Sequence, residues 1–489
     1  MPKRPNGYKW WALSATSVGM LMAVLNSTTL LIALPTLTRV LHMSTFLAIW
    51  VLLVYMVVQT ALVLTVGRLS DVWGRKKLYV AGFAIFTVAA LLAGLAPNGL
   101  LLLVIRGIQA IGGAMVMGNS TAIVTDAFPR HELGLALGIN SIVIALGQVL
   151  GPILGGLLVT WFSWHWIFWF NVPIGIVGTL WAWKQLQDVV PPAREPALDY
   201  RGNITYIVSL VALLMGVTAG GIMGWTQPLA VGALLMGALG AMLFIRLEKT
   251  AAYPLLSLSL FENRVFLLSN LANFFIAMVR GAVILLFVFY FQGARGDSPL
   301  EAGLLVIPLA AAMGVIGPIS GWLADHIGPR VPASLGALCV AIGFVGFGIT
   351  LHRSTGYGLI AVWMILVGFG NGLFNSPNTS TIMGAVSPQS RGVAAGIRTM
   401  LFNTGGVFAI ALVMALIASR LPSSVMMAVL AGETARISTS GLENLLLALR
   451  SIFLILAIIA LAAALFSWIP ARRQDPTPTV SRLSHTRVS

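Results

Sequence analysis

The sequence predicts an all-α polytopic membrane protein with fourteen transmembrane helices, and three observations carry that expectation. Of 489 residues, 58% are hydrophobic and only 9% charged, where soluble domains carry about 25% charged residues. Apolar runs matching the roughly 20 residues that a membrane helix needs recur from one end of the chain to the other, with no intervening segment long enough for a soluble domain. Finally, the chain repeats itself, which divides it into two six-helix halves.

Spans are expected at 12–38, 46–66, 78–96, 99–122, 135–160, 165–184, 203–223, 228–246, 265–292, 301–323, 331–352, 356–383, 394–419 and 446–469. The run that follows the positive segment Met1 to Lys9 continues from about Trp11 to Leu34, longer than a signal-peptide core and without a small-x-small cleavage site, so it reads as the first span. An even span number puts both termini on one side. With that side cytoplasmic, all six lysines (Lys3, Lys9, Lys76, Lys77, Lys184 and Lys249) fall in inner segments, and the expected outer segments hold few basic groups, such as Arg39, Arg295, Arg353 and Arg420. Basic residues kept on the cytoplasmic side set orientation, so topology accounts for the net charge of +15. Nucleic acid is not an expected partner, because no basic face with interleaved aromatics exists. The expected environment is the lipid bilayer of a plasma or inner membrane.

The repeat is read from three pairs of segments. G-R-L-S-D-V-W-G-R-K-K from Gly67 is answered by G-W-L-A-D-H-I-G-P-R from Gly321. N-S-T-A-I-V-T-D-A-F-P (119–129) is answered by N-T-S-T-I-M-G-A-V-S-P (378–388), and G-L-A-L-G-I-N (134–140) by G-V-A-A-G-I-R (392–398). The expected organisation is a six-helix half over 1–184, a linker with two extra spans over 185–264, a second six-helix half over 265–470, and a disordered cytoplasmic tail over 471–489. Parallel six-helix repeats imply a substrate path between the halves and alternating access.

The chemistry that the sequence omits narrows the class. Cys339 stands alone, so no internal disulfide forms and redox compartment is not indicated. The histidines His42, His131, His165, His326, His352 and His485 are scattered, without metal-ligand spacing, and no phosphate-binding G-x-x-x-x-G-K-[ST] loop is present. Neither an enzyme nor an ATP-driven pump is expected, and no cofactor or metal.

Three motifs carry function. In the loop after span 2, Gly67 and Gly74 permit a tight turn. Asp71 suits the positive end of a helix in the other half, and Arg75 suits cytoplasmic carboxylates. A lone copy would read as a solvated basic loop; the second copy, Asp325, Gly328 and Arg330, favours a gating latch. In span 4, Arg106 and Gln109 share a helix face. Arg106 lies about 10 Å inside the outer end at 1.5 Å per residue, and an ionisable group there is expensive enough to suggest function; the alternative is an arginine snorkelling outward. In span 5, Gly147, Gly151 and Gly155 form a smooth face for close helix packing, interrupted by Pro152 and extended by Gly156.

These segments resemble the major facilitator superfamily: the loop after span 2 its loop signature, Arg106 its span 4 arginine associated with proton transfer, and Gly147–Gly156 the motif that marks exporters. L-N-S-T-T-L-L-I-A-L-P (25–35), W-H-W-I-F-W-F-N-V-P-I-G (164–175), L-D-Y-R-G (198–202), P-L-L-S-L-S-L-F-E-N-R-V-F (254–266) and Y-F-Q-G-A-R-G-D-S-P-L-E-A-G (290–303) narrow the resemblance to fourteen-span drug:proton antiporters of the quaternary-ammonium-resistance type. The resemblance implies a small amphipathic substrate, protons as the coupling ion, and proton exchange at Arg106 and Gln109 with an acid such as Asp126 or Asp71.

Two departures bear on substrate. Asn26 occupies a position where the family carries an aspartate, and no span holds an acid at its middle. Arg280 instead sits near the middle of span 9, where a lone arginine must face a cavity, a carbonyl cluster or an anion. Tyr55, Gln59, Asn140, Asn371, Asn375, Asn378 and Asn403 are the other candidates to line the cavity; each alone also fits a helix–helix hydrogen bond. Phe274, Phe275 and Tyr290 suit an amphipathic substrate or lipid. The substrate is expected to lean neutral or anionic. A lipid-like or metabolite exporter and an uptake carrier of the same fold are the alternatives, and the sequence names no adaptor protein.

Overall fold

In a lipid interior every backbone polar group must find its partner within the protein, which leaves helices as the economical solution for apolar runs of this length. The computed structural model of the chain describes residues 7–129, 132–187, 199–251, 256, 258–387, 391–430 and 437–469, and among these it contains helices and no strands. The expected tail over 471–489 lies outside the described residues.

The α-helices are α1 Tyr8–Val40, α2 Thr45–Trp73, α3 Arg75–Ala93, α4 Gly99–Ala127, α5 Leu133–Trp161, α6 Trp166–Trp169, α7 Asn171–Gln185, α8 Tyr200–Met223, α9 Pro228–Thr250, α10 Arg264–Val288, α11 Pro299–Leu305, α12 Ile307–Ile327, α13 Arg330–Thr350, α14 Tyr357–Gly384, α15 Arg391–Ala418, α16 Ser423–Leu430 and α17 Thr439–Trp468. Fourteen candidate membrane spans result, as expected, with α6 and α7 sharing one span and α11 and α12 another. The sequence reading differs in three details. Span 9 runs on through a π-helical turn at Phe289–Arg295. Span 10 is broken at Val306, just ahead of Pro308, where the ring of the proline removes a backbone donor. The segment near 420–445, expected as a loop, carries the helix α16.

Helix starts follow local chemistry. Side chains of Ser44, Asn98, Asp199 and Asn263 each accept a hydrogen bond from the first turn that follows them, relieving donors that a helix start leaves unpaired. Ser298 and Glu301 form a reciprocal capping box at α11.

The two halves are built alike. In the first, α3 packs on α4, α2 on α4, α1 on α5 and α3 on α7; in the second, α13 packs on α14, α12 on α14, α10 on α15 and α13 on α17. The linking pair α8 and α9 pack on each other, and α8 also touches α2 and α15, one helix from each half. Gly221 of α8 lies against Ala415 of α15, and Tyr206 and Thr404 share a hydrogen bond of 2.9 Å. The longest core cluster crosses between the halves, joining Leu30, Leu34 and Leu37 to Phe287, Phe291 and Ile410.

Candidate functional site

Gly74 and its copy Gly328 do what a tight turn requires. Gly74 has φ 93° between α2 and α3, and its counterpart Gly328 has φ 83° between α12 and α13, a region open to glycine at low cost. Gly67, expected to share in the turn, instead lies inside α2, six residues before its end, because the helix continues through it, and it faces open space. Arg75, on the first turn of α3, makes an ion pair with Asp126 near the end of α4, and its guanidinium also donates to the Ala122 carbonyl at 3.0 Å. Arg330 of the second copy lies over the Trp468 ring at 4.8 Å. The side chains of Asp71 and Asp325 fall outside the described residues.

At the middle of the first half lies a buried polar chain. Arg106 is 1% exposed. It donates to Gln109 Oε1 at 2.7 Å, and Gln109 Nε2 donates to Asn26 Oδ1 at 3.3 Å. The guanidinium also stands over the Tyr55 ring at 4.5 Å, a distance at which the ring quadrupole attracts a cation. Arg106 Nε and Asn26 Nδ2 have no hydrogen-bond partner among the described residues. Gln59 is half-buried on the next turn of α2, opposite Gly113. Asp126 stands 20 residues from Arg106 on the same helix, about 30 Å at 1.5 Å per residue. The structure therefore brings Arg106, Gln109, Asn26 and Tyr55 together and sets Asp126 with Arg75.

The glycine face of α5 packs on α1. A Cβ on Gly147 would lie 2.9 Å from Val24 Cγ1, one on Gly151 would lie 2.6 Å from Thr28 Cβ, and one on Gly155 would lie 2.6 Å from the Thr29 carbonyl oxygen. Gly156 turns to the other half: its Cβ would lie 2.6 Å from Leu300 Cα. Pro152 joins the same contact, since Gly303 packs against its carbonyl. Hydrogen bonds between the halves gather at this end, away from the termini: Gln292 donates to the Ile32 carbonyl at 3.0 Å and Thr45 to Met427 Sδ at 3.0 Å.

In the second half, Arg280 is half-buried on α10 and lies over the Phe402 ring at 5.4 Å. Arg398, which sequence reasoning passed over as a repeat position, stands on α15 one turn before Phe402 and donates to Asn375 Oδ1 at 2.6 Å. Its backbone carbonyl accepts from Asn273 at 3.0 Å. The pairing of Asn273 with Arg398 corresponds to that of Ser17 with Asn140 in the first half, a hydrogen bond of 3.1 Å. Asn371 turns back to its own helix and donates to the Val367 carbonyl. Asn378 is buried, with Nδ2 unpartnered among the described residues, and Asn403 is half-buried. Of the aromatics singled out in span 9, Tyr290 is fully buried and donates to the His352 carbonyl at 2.8 Å, while Phe274 and Phe275 are half-buried and Phe275 stacks on Phe466.

Two like-built helical halves around a polar interior, with one end closed by helix contacts, define a membrane transporter rather than an enzyme. The chain belongs to the Major Facilitator Superfamily, whose model matches residues 16–410 and 271–486. It is 31% identical over 417 residues to the multidrug resistance protein Stp of Mycobacterium tuberculosis, covering 84% of this chain and 76% of that protein. It is 31% identical over 404 residues to the riboflavin transporter RibZ of Clostridioides difficile, covering 82% and 87%. Among solved structures it resembles a bacterial homologue of the human lysosomal transporter Spinster, with TM-score 0.66, 16% identity, and coverage of 95% of this chain and 97% of that one; at that identity the likeness speaks to the fold.

Proposed function

We propose that this protein is a secondary active exporter of amphipathic compounds, working by proton antiport and alternating access, in the plasma or inner membrane with both termini cytoplasmic. The observation that carries the export reading is the seating of Gly147, Gly151 and Gly155 against α1, with Gly156 against Leu300 of the other half. This packing holds shut the end opposite the termini. In the proposed orientation this contact lies on the outer side, opposite the cytoplasmic side from which an exporter loads.

Arg106, Gln109, Asn26 and Tyr55 are the proposed proton-responsive centre. A buried guanidinium held by neutral groups, with donors left over, is costly in a low-dielectric interior, so a change in the hydration or charge around it biases one state over another. The Gly67–Arg75 turn, its copy at Gly321–Arg330, and the pair of Arg75 with Asp126 are the proposed gating elements on the cytoplasmic side. The relative named as a riboflavin transporter supports a second reading, a carrier of a metabolite.

Inverted vesicles decide between them. Accumulation of amphipathic drugs on imposing an acidic interior, abolished when the pH gradient is collapsed, is the expected result. Transport that ignores the pH gradient removes the antiport reading. Movement only out of inverted vesicles, down a substrate gradient, removes export.

A further inference from the structure

We infer that Arg280 and Arg398, with Phe402 beside Arg280, form an anion-recognition site that takes the acidic group of an amphipathic organic anion, a carboxylate or sulfonate joined to an aromatic body; this deepens the exporter reading above and rests on it. The two guanidinium groups come from different helices, α10 and α15, which meet where Asn273 bonds the Arg398 carbonyl; Arg280 lies over Phe402, one turn beyond Arg398 on α15, so both cations belong to one seam. Among the described residues neither has a carboxylate partner, and no Asp or Glu occurs in α10, α14 or α15. Two like charges brought together inside a membrane protein cost free energy in a low-dielectric setting. A fold retains such a pair where something of opposite charge visits it.

The remaining polar groups leave donors free. Asn375 satisfies one nitrogen of Arg398, while Arg398 Nε is buried without a partner among the described residues. Arg280 is half-buried, and Asn375 is exposed although it lies well inside α14. The site therefore combines unused guanidinium donors with a partly open face. Planar guanidinium groups bind carboxylate and sulfonate oxygens through paired hydrogen bonds. Phe402 supplies an apolar face beside the charges, already in contact with Arg280. A substrate with an acidic group next to an aromatic ring matches both features.

The repeat sharpens the argument. The Asn273–Arg398 contact has its counterpart in Ser17–Asn140, so an asparagine stands in the first half where Arg398 stands in the second. On the same offset of about 256 residues, Val24 stands in for Arg280. The first half thus holds neutral residues at both places, and the paired arginines are a feature of the second half alone.

The test uses the full chain, purified in detergent, and three ligands of similar size: naphthalene-2-sulfonate, 2-naphthalenemethanol and 2-naphthylmethylammonium. Binding is read by tryptophan quenching or calorimetry, with sodium chloride as a competing free anion. Arg280→Gln and Arg398→Gln are each expected to weaken sulfonate binding by about tenfold or more, the scale of one lost charge-assisted hydrogen bond, and to leave the alcohol unchanged. Arg398→Lys should restore part of the loss. Unchanged alcohol binding shows that the variants remain folded. Equal losses for all three ligands, or sulfonate binding indifferent to both substitutions, overturns the site. Displacement of the sulfonate by chloride at equal concentration assigns the pair to small inorganic anions and also overturns the proposal. Since binding is measured without transport, a failure of the exporter reading would appear separately, as absence of ligand movement in vesicles.

Discussion

Replacing Gly156 with alanine adds one methyl group where α5 meets the other half of the bundle. A Cβ there would lie 2.6 Å from Leu300 Cα and 2.8 Å from its nitrogen, whereas carbon contacts settle at about 3.5–4.0 Å. The neighbour is backbone, so no rotamer change relieves the overlap; the two segments must separate by about 1 Å to restore ordinary contact. Overpacking of this kind costs about 1–3 kcal/mol. Because Leu300 belongs to the opposite half, the cost falls on the state in which this end is closed. A bias of that size moves a two-state ratio by about 5–150-fold.

The assay is the reaction rate of a buried thiol at the closed end. Leu34 is 1% exposed and lines a small apolar cavity with Pro35, Leu285 and Val429. With Cys339→Ala as background, Leu34→Cys should react slowly with a membrane-impermeant maleimide, and Gly156→Ala should accelerate that reaction several-fold. Gly155→Ala is the control: its Cβ would lie 2.6 Å from the Thr29 carbonyl oxygen within the same half, so it strains every state and lowers thermal stability without shifting their ratio. Equal labelling rates in Gly156→Ala and its parent, with both proteins folded, would refute the reasoning.

Three further outcomes are expected. In the cysteine-free background, Lys77→Cys and Ser424→Cys should label from opposite faces of intact cells, the first only after permeabilisation; labelling of both from outside contradicts the topology. Asp71→Asn should slow drug transport several-fold at equal expression, measured in inverted vesicles, and an unchanged rate would remove Asp71 from the gate. Asn26→Asp places a carboxylate at the position that accepts from Gln109, so competition transport should move towards permanent cations; no change in the cation-to-neutral ratio would show that this chain of groups does not sense substrate charge.

The spans, the repeat and the two glycine turns were legible because they rest on local rules: apolar length, recurring spacing and the need for positive φ at Gly74 and Gly328. The contact of Arg106 with Gln109 follows from their spacing on one helix. What lay beyond the sequence depends on how helices meet. Arg398 carries no local signal that separates it from basic loop residues, since it sits only seven positions into α15. Only the register of α15 against α10 brings it to Arg280. Asp126 and Arg106 share a helix and looked like partners in charge exchange, yet the packing of α3 on α4 gives Asp126 to Arg75. The helix α16 was hidden because eight residues are too few for a span, and the break at Val306 because the apolar run continues through it.

The spacing of glycines in α5 explains how one helix can belong to a rigid half and still take part in a moving contact. Successive residues of an α-helix turn by about 100°. Gly151 and Gly155 lie on one face and meet Thr28 and Thr29 of α1, a contact within one half that needs no change during transport. Gly156 is one step around the helix, and that step carries it from α1 to Leu300 on the opposite half. Pro152 follows Gly151 in the same way, and its carbonyl meets Gly303. Each glycine-led pair therefore places its first residue on the fixed contact and its second on the contact between halves. A glycine at 155 alone would secure α1 to α5 but leave a side chain to hold the halves apart. On the proposed mechanism, the paired residues are what let the closed end close, and separating the effects of positions 155 and 156 is the direct measure of that division.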